Sequence, residues 1–112
     1  MNYSLRITKT AEDDLRAAAD YIEFKLLNPQ AADALLAKAE EELSKLSHMP
    51  ESHQLAYDPV LNEQGIRYTL VDRYMAFFVI DESTKTVYII RFIYGKRNWI
   101  SILKNEPLAL EE

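Results

Sequence analysis

The stretch that most restricts the fold is the apolar run TVYIIRFIY, residues 86–94. Side chains alternate between the two faces of a strand. Here both faces are apolar, with Ile89 and Ile93 on one and Phe92 on the other. Such a strand is expected at the centre of a sheet, with something covering each side. Arg91 interrupts one apolar row, and a buried guanidinium without a partner is very costly.

Three further strands are predicted from period-two alternation and apolar runs. They are YSLRIT (residues 3–8), IRYTLV (66–71) and YMAFFVI (74–80). The sequence DESTK that precedes the central strand is typical of a hairpin loop. Residues 48–64 contain two prolines and no hydrophobic period, which predicts a long irregular connection of the functional or loosely ordered kind.

Two helices are predicted between the first and second strands. The first begins at a capping-box sequence, TAED, from Thr10 to Asp13, and its apolar stripe continues to Leu26. The second runs from Pro29 to Ser47, because proline suits the first turn of a helix. A connection this short at Asn28 favours an antiparallel helical hairpin.

These elements predict an α+β domain. Its order is an N-terminal strand, an antiparallel two-helix hairpin, a three-stranded antiparallel sheet and a short C-terminal segment. The hairpin can cover only one sheet face. The other face must therefore be covered by the C-terminal segment, by another chain, or be a functional groove.

Length and composition indicate one domain at residues 1–105 and an acidic tail, EPLALEE, at 106–112, which we expect to be a frayed, solvated end. There is no cysteine, no apolar run near the ~20 residues of a membrane helix and no signal-like N-terminus, so we expect a cytoplasmic protein without membrane contact. We expect no cofactor, because two glycines disfavour a nucleotide cradle. We also expect no metal, because His48 and His53 lack partners at ligand spacing.

Charge is unevenly distributed along the chain. The formal net charge is −5, yet residues 87–105 contain four Lys or Arg residues and no Asp or Glu. Proteins that grip long duplexes through many phosphates need a broadly basic face. This chain instead predicts a small, focused cationic site, which excludes non-specific coating of DNA.

The candidate cations are Arg67, Arg91, Lys96 and Arg97. We expect sheet pairing to bring them together into a cationic cleft on one sheet face. Guanidinium groups suit phosphate or carboxylate because their donors are forked and remain charged. Lys96 and Arg97 follow Gly95 at an exposed turn, which favours a functional role for this pair.

Each of these residues also has an ordinary structural interpretation. Arg91 is expected in that case to pair with Asp72 or Asp81. Aromatic side chains in strands usually belong to a core, although those interleaved with arginine can stack on bases. Tyr94 and Trp99 flank the basic turn and are the aromatic residues that we assign to target binding.

In its order of elements the chain resembles the RelE/ParE superfamily of toxins from bacterial type II toxin–antitoxin systems, over about residues 3–104. The resemblance is carried by AEDDLRAAADYI in the first helix, NPQAADALL at the start of the second, LSHMP after it, and GIRYTLVDRYMAFFVID leading into VYIIRFIYGKRNW.

The resemblance implies a toxin neutralised by a cognate antitoxin, which we expect an adjacent gene to encode. ParE-like members inhibit DNA gyrase, whereas RelE-like members cleave mRNA on the ribosome. Lys96 and Arg97 match the basic pair of the RelE-like nucleases, and Arg67 lies near a basic position of their second strand. With the residues already singled out from the sequence itself, the predicted site is then as follows: catalytic, Arg67 and Arg97; target-binding, Arg91, Tyr94, Lys96 and Trp99.

The chain departs from the nuclease pattern at two positions. Met75 follows Tyr74 where the nucleases commonly carry arginine, and Leu103 stands where a catalytic tyrosine is expected. RNA cleavage needs proton transfer as well as cations that stabilise the phosphate. Because the catalytic set is incomplete, we favour a ParE-like toxin that binds its target, with DNA gyrase as the candidate. The alternatives are a RelE-like mRNA endonuclease, and an inactive toxin-fold protein in a co-repressor complex with its antitoxin.

Overall fold

The protein is built on one sheet that carries helices on both faces. The computed structural model describes residues 2–105, so the predicted tail at 106–112 lies outside the described residues. In chain order the elements are β1 (Ser4–Ile7), α1 (Lys9–Asp20), α2 (Pro29–Ser44), α3 (Pro59–Glu63), β2 (Arg67–Val71), β3 (Tyr74–Asp81), β4 (Thr86–Tyr94) and α4 (Trp99–Lys104). None of the helices in residues 2–105 has the length and apolar character that crossing a membrane requires.

The strands lie in the order β1-β4-β3-β2. The pairs β2–β3 and β3–β4 are antiparallel, whereas β1 pairs with β4 in parallel, Ser4 opposite Thr86 and Ile7 opposite Ile89. The predicted α+β fold and the central position of β4 are confirmed. The sheet is mixed because β1 joins the three antiparallel strands in parallel.

A single threonine joins β1 to α1. The Thr8 hydroxyl accepts a hydrogen bond from the Ala11 amide at 3.2 Å and donates to the Ile89 carbonyl at 2.9 Å. Thr8 is therefore the N-cap of α1, and the predicted start at Thr10 is wrong by two residues. The threonine hydroxyl fixes the start of the helix against β4.

The helical hairpin turns at the predicted Asn28–Pro29 step. The Asn28 side chain accepts from the Ala31 amide at 3.1 Å and caps α2, and Leu27 just before it has a left-handed φ of 54°. The last turn of the first helix, Tyr21–Lys25, is π-helical, and α2 ends at Ser44 before a 3₁₀ turn, Lys45–Ser47.

The hairpin covers one face of the sheet with a continuous apolar core. Its buried members are Tyr3, Ala11, Leu35, Ala39, Leu43, Leu46, Val71, Ala76, Phe78, Val87, Ile89 and Phe92. The helix side chains in this set repeat every three to four residues, so one stripe of each helix faces the strands.

The opposite face is covered by the chain itself, through α3 and α4. Its buried members are Ala56, Leu61, Ile66, Met75, Phe77, Val79, Ile90, Ile93, Trp99 and Leu103. Of the three possibilities given for this sheet face, the structure shows the first: the C-terminal segment covers it, together with α3. The expectation of a sheet face left open for another macromolecule is wrong, because both faces are buried.

The helix α3 lies inside residues 48–64, where we predicted irregular structure. The Asp58 carboxylate caps it by accepting from the amides of Val60 and Leu61 at 3.1 and 3.3 Å. Proline at the first position of a helix lacks only an amide that has no intrahelical partner. The prediction of irregular structure is therefore wrong at Pro59, which starts a helix.

Candidate functional site

Two turns pack together at the end of the sheet where β3 begins and β4 ends. The Gly95 amide donates to the Arg73 carbonyl at 2.8 Å. A Cβ atom at Gly95 would lie 3.1 Å from the same oxygen, so a side chain there would push the turns apart. This close approach places Arg73 beside Lys96 and Arg97. We call these three residues the basic rim.

The basic rim is exposed and has no acidic partner in the part of the chain that the structure describes. Arg73 was not among the predicted site residues. The signal for Arg73 lies in the pairing of β3 with β4. Tyr74 is opposite Tyr94 in this antiparallel pair, so Arg73, just before Tyr74, comes next to Gly95, just after Tyr94. Of the cations predicted to lie together, Lys96 and Arg97 are at this end of the sheet, and Arg73 lies with them.

Three tyrosines lie next to the basic rim. The Tyr74 ring stacks on Phe92 with centroids 4.9 Å apart and meets Tyr94 edge-on at 5.5 Å. Burial, reinforced by the nearby hydroxyls of Tyr94 and Tyr21, raises the pKa of Tyr74 above its ordinary value. Tyr21 reaches this cluster from the π-helical turn at the end of α1.

These tyrosines stand between two adjoining cavities on the hairpin side of the sheet. The larger cavity, about 860 Å³, is lined by Tyr21, Ile22, Leu26, Ala31, Leu35, Asp72, Arg73, Tyr74 and Tyr94. The smaller, about 330 Å³, is lined by Asp14, Ala17, Ala18, Tyr21, Tyr74, Phe92, Tyr94 and Arg97. We call the two cavities together the tyrosine groove. It is apolar along the hairpin and cationic at the basic rim.

The apolar wall of the groove continues onto the tip of the hairpin. Leu26 lines the groove and is 57% exposed, and Phe24 and Leu27 beside it are 67% and 80% exposed. Exposed apolar side chains that adjoin a groove are typical of an interaction surface. A π-helical turn often accompanies such a site, and here it carries Tyr21 and Phe24.

Arg91 is not part of the basic rim, because it forms a structural ion pair. Its Nε donates to Asp14 Oδ2 at 2.7 Å, and the two side chains are only 15% and 18% exposed. The expected partners Asp72 and Asp81 are both wrong, since the partner is on α1. The guanidinium that interrupts the apolar row of β4 is thus compensated within the fold.

The sheet register separates Arg67 from Arg97. Arg67 lies opposite Phe78, whereas Arg97 follows Tyr94, which lies opposite Tyr74. The two rows are four positions apart along β3, about 13 Å at the usual rise of a strand. Arg67 instead donates to the His53 carbonyl at 2.6 Å. The structure therefore does not bring Arg67 to the basic rim.

The two aromatic candidates occupy different places. Trp99 is 8% exposed and belongs to the second core, where its ring lies 5.2 Å from Phe77 and 5.3 Å from Tyr57. Tyr94 lines both cavities of the tyrosine groove. Of the predicted site residues, the structure thus assembles Tyr94, Lys96 and Arg97.

The arrangement is suited to binding a segment of mixed character. Among residues 2–105, no group of three His, Cys, Asp or Glu side chains is placed to hold a metal ion. The His53 ring packs edge-on against Phe78 at 5.8 Å, in the region of Arg67. An apolar groove with cations at one rim fits a segment that carries both apolar and acidic side chains.

The fold is similar to that of chains in solved structures. The chain is similar to a chain of the chromosomal ParDE toxin–antitoxin system from P. aeruginosa, with a TM-score of 0.70 and 21% identity, over 84% of this chain and 97% of that one. It is also similar to a chain of the RelBE2 toxin–antitoxin complex from Mycobacterium tuberculosis, with a TM-score of 0.55 and 24% identity, over 84% and 99%.

The sequence comparison is more specific than the structural one. The family described as the ParE toxin of the type II toxin–antitoxin system, parDE, matches residues 5–99. The chain therefore belongs to the ParE toxin family of type II toxin–antitoxin systems. Comparison with curated protein sequences gives no significant match.

Proposed function

We propose that this protein inhibits growth by binding a macromolecular target, and that an antitoxin neutralises it by occupying the tyrosine groove. The observation that carries the proposal is the groove itself, whose apolar wall runs from Leu26 to Tyr94 and ends at the basic rim. DNA gyrase is the target that we propose, in line with membership of the ParE family.

The composition of the groove supports an antitoxin as its occupant. Ile22, Leu26 and Leu35 offer an apolar wall to a segment with apolar side chains at regular spacing. The basic rim offers three cations without a partner in residues 2–105, which favours acidic side chains at one end of that segment. The two solved structures compared above are of toxin–antitoxin systems.

The placement of the cations supports binding rather than RNA cleavage. A ribonuclease needs a proton acceptor, a proton donor and phosphate-binding cations around one phosphate. The two candidate catalytic arginines lie in different rows of the sheet, with Arg67 engaged by the His53 carbonyl. Arg91, the remaining guanidinium among the predicted site residues, is engaged by Asp14.

Neutralisation by an antitoxin is tested by expressing the chain alone and together with the product of the adjacent short open reading frame. We expect growth arrest in the first case, normal growth in the second, and a complex that co-purifies. Normal growth during verified expression of the soluble chain alone would favour the inactive co-repressor alternative instead.

The target is tested with purified toxin in a gyrase supercoiling assay. We expect dose-dependent loss of supercoiling, restored by the antitoxin. A matched experiment maps mRNA ends in cells that express the native chain or Arg97→Ala. New ends with the native chain and none with the variant, together with full gyrase activity at saturating toxin, would replace the proposal with the endonuclease alternative.

A further inference from the structure

We propose that the hydroxyls of Tyr21, Tyr74 and Tyr94, together with the Arg97 guanidinium, form a subsite for one carboxylate carried by an apolar peptide segment. The inference rests on the proposed function, since it names the chemical group that the tyrosine groove selects in its partner. The partner's carboxylate would enter the smaller cavity while its apolar side chains line the larger one.

The three hydroxyls are available to a ligand. In the described part of the chain, no hydrogen bond engages the phenol oxygen of Tyr21, Tyr74 or Tyr94. A phenol is both donor and acceptor, and hydrogen bonds that it donates to an ionised acceptor are stronger than those to a neutral one. A tyrosine is protonated at neutral pH, and burial raises the pKa of Tyr74 further, so its hydroxyl can act as a donor.

The charges around the smaller cavity favour a single negative group. Asp14 lies in its wall, but Arg91 and the Phe92 amide already engage that carboxylate. Arg97 has no acidic partner in residues 2–105, so it is the uncompensated charge of the cavity. A guanidinium beside hydroxyl donors matches the planar, two-oxygen geometry of a carboxylate.

The same surroundings favour a carboxylate over a phosphate. The larger cavity is walled by Ile22, Leu26 and Leu35, which suit aliphatic or aromatic side chains and not a sugar–phosphate backbone. The oxygens of Asp14 and Asp72 stand in the two walls and would repel a second negative charge. A peptide supplies an apolar group and one carboxylate close together.

The test uses small probes that reproduce this pairing. We would titrate the full chain with 3-phenylpropionate, with its neutral amide 3-phenylpropionamide, and with phenyl phosphate, and follow the assigned ring signals of Tyr21, Tyr74 and Tyr94 by NMR. We expect the carboxylate to shift these signals and to bind about fivefold or more tightly than the amide. Equal binding of acid and amide, tighter binding of the phosphate, or no shift of these signals would each overturn the proposal.

Two variants identify the groups that bind the carboxylate. Tyr94→Phe keeps the ring and removes the hydroxyl, and we expect a two- to tenfold loss of 3-phenylpropionate affinity, about the value of one hydrogen bond, with amide binding unchanged. Arg97→Gln should cost about tenfold. Arg67→Gln is the control and should leave the affinity unchanged, because Arg67 lies outside the tyrosine groove and donates to the His53 carbonyl.

Unchanged far-UV circular dichroism and thermal midpoints would show that the variants are folded. An equal loss for the acid and the amide in Tyr94→Phe would mean that packing, not the hydroxyl, is responsible, and would overturn the proposal. The growth and co-purification experiments above are independent of these probes. An antitoxin that neutralises the native chain and the Tyr94→Phe and Arg97→Gln variants with equal affinity would remove the carboxylate subsite and leave the proposed function standing.

Discussion

Asp14 of α1 binds Arg91 of β4 through two hydrogen bonds, to Nε at 2.7 Å and to a terminal guanidinium nitrogen at 3.1 Å. The same carboxylate accepts the backbone N–H of Phe92 at 3.0 Å. The paired part of β1 ends opposite Ile89, so β4 has no neighbouring strand on that side beyond this point. Asp14 thus supplies the acceptor that a longer β1 would have supplied.

We therefore expect Asp14→Ala to destabilise the protein by about 2–3 kcal/mol. The substitution removes the Asp14 carboxylate and two hydrogen bonds from a largely buried guanidinium, and it removes the acceptor of a strand amide. The estimate lies below the range for fully buried pairs because both side chains remain partly exposed. Urea denaturation followed by circular dichroism measures the change. The matched control is Asp13→Ala, which removes only exposed pairs with Lys9 and Arg16 and should cost less than about 0.5 kcal/mol.

A second substitution distinguishes the loss of the Asp14–Arg91 ion pair from an effect of Asp14→Ala on α1 itself. In an Asp14→Ala background, Arg91→Met removes the guanidinium that has lost its Asp14 hydrogen bonds while keeping an apolar stem of similar length. We expect it to recover part of the lost stability. Additive losses in the double variant would contradict the view that the broken Asp14–Arg91 ion pair is the cause.

Gly95→Ala should destabilise the packed turns by about 1 kcal/mol or more, because its Cβ would lie 3.1 Å from the Arg73 carbonyl oxygen. Gly65→Asn is the comparison. Gly65 has a φ of 78°, which favours glycine and which asparagine adopts more readily than most residues, and a Cβ there would meet no atom within 4 Å. Thermal denaturation of both variants tests this. A Gly95→Ala protein with an unchanged midpoint would contradict the close packing of the two turns.

Trp99 was predicted to bind the target and is found in the second core, so its substitutions distinguish the two roles. We expect Trp99→Ala to cost about 3 kcal/mol, whereas Trp99→Phe should cost less and should retain toxicity. Unfolding free energies and growth inhibition are measured for both variants. Loss of toxicity in a Trp99→Phe protein with native stability would restore Trp99 as a target contact.

The sequence predicted the parts of the fold that local patterns determine. The run at residues 86–94 has two apolar faces, and this pattern requires a central strand whatever its neighbours are. Asn28 before Pro29 combines a capping side chain with a proline that suits a first helical turn, so the hairpin turn was also predictable. Asp58 before Pro59 carries the same signal for α3, but the residues around it have no hydrophobic period to support a helix.

The site was predictable only in part, because its residues meet through tertiary packing. Arg91 and Asp14 are 77 positions apart, and their contact depends on how α1 crosses β4. The position of Arg73 depends on the approach of one turn to another through Gly95. Lys96 and Arg97 were recognised because they adjoin each other in the sequence.

A pH-dependent contribution to stability is expected at the β3–β4 loop. Glu82 accepts from Lys85 at 3.0 Å and from the Tyr3 hydroxyl at 3.1 Å, and the hydrogen bond from Lys85, with that from Tyr3, lowers the pKa of the Glu82 carboxyl. A lowered pKa in the folded state contributes stability above the unfolded value, about 4.3, and that contribution is lost as the pH falls through the folded pKa.

Glu82→Gln should therefore lower the urea midpoint at pH 7, and the difference from the native chain should shrink between about pH 5 and pH 3. The effect is small because the groups are exposed. Glu63→Gln, on the exposed end of α3, is the control and should give no pH-dependent difference. A Glu82→Gln deficit that is constant across this range would contradict the role of its charge.

The exposed apolar wall of the tyrosine groove gives a direct test of where the antitoxin binds. Leu26→Glu places a charge on a side chain that is 57% exposed, so the fold should tolerate it, with a change in unfolding free energy of less than about 1 kcal/mol. Leu70→Glu is the matched control, since Leu70 is 59% exposed on β2, at the opposite edge of the sheet from β1. Both variants carry the same change in charge.

We expect Leu26→Glu to weaken the antitoxin about ten- to a hundredfold, because a carboxylate would be desolvated against an apolar partner side chain, and Leu70→Glu to leave the affinity unchanged. Calorimetric titration of each variant with purified antitoxin measures this difference. In cells, the Leu26→Glu toxin should then escape neutralisation at antitoxin levels that protect against the native chain. Equal affinities for the two variants would place the antitoxin outside the tyrosine groove, because nothing else distinguishes the two leucines in size, charge change or exposure.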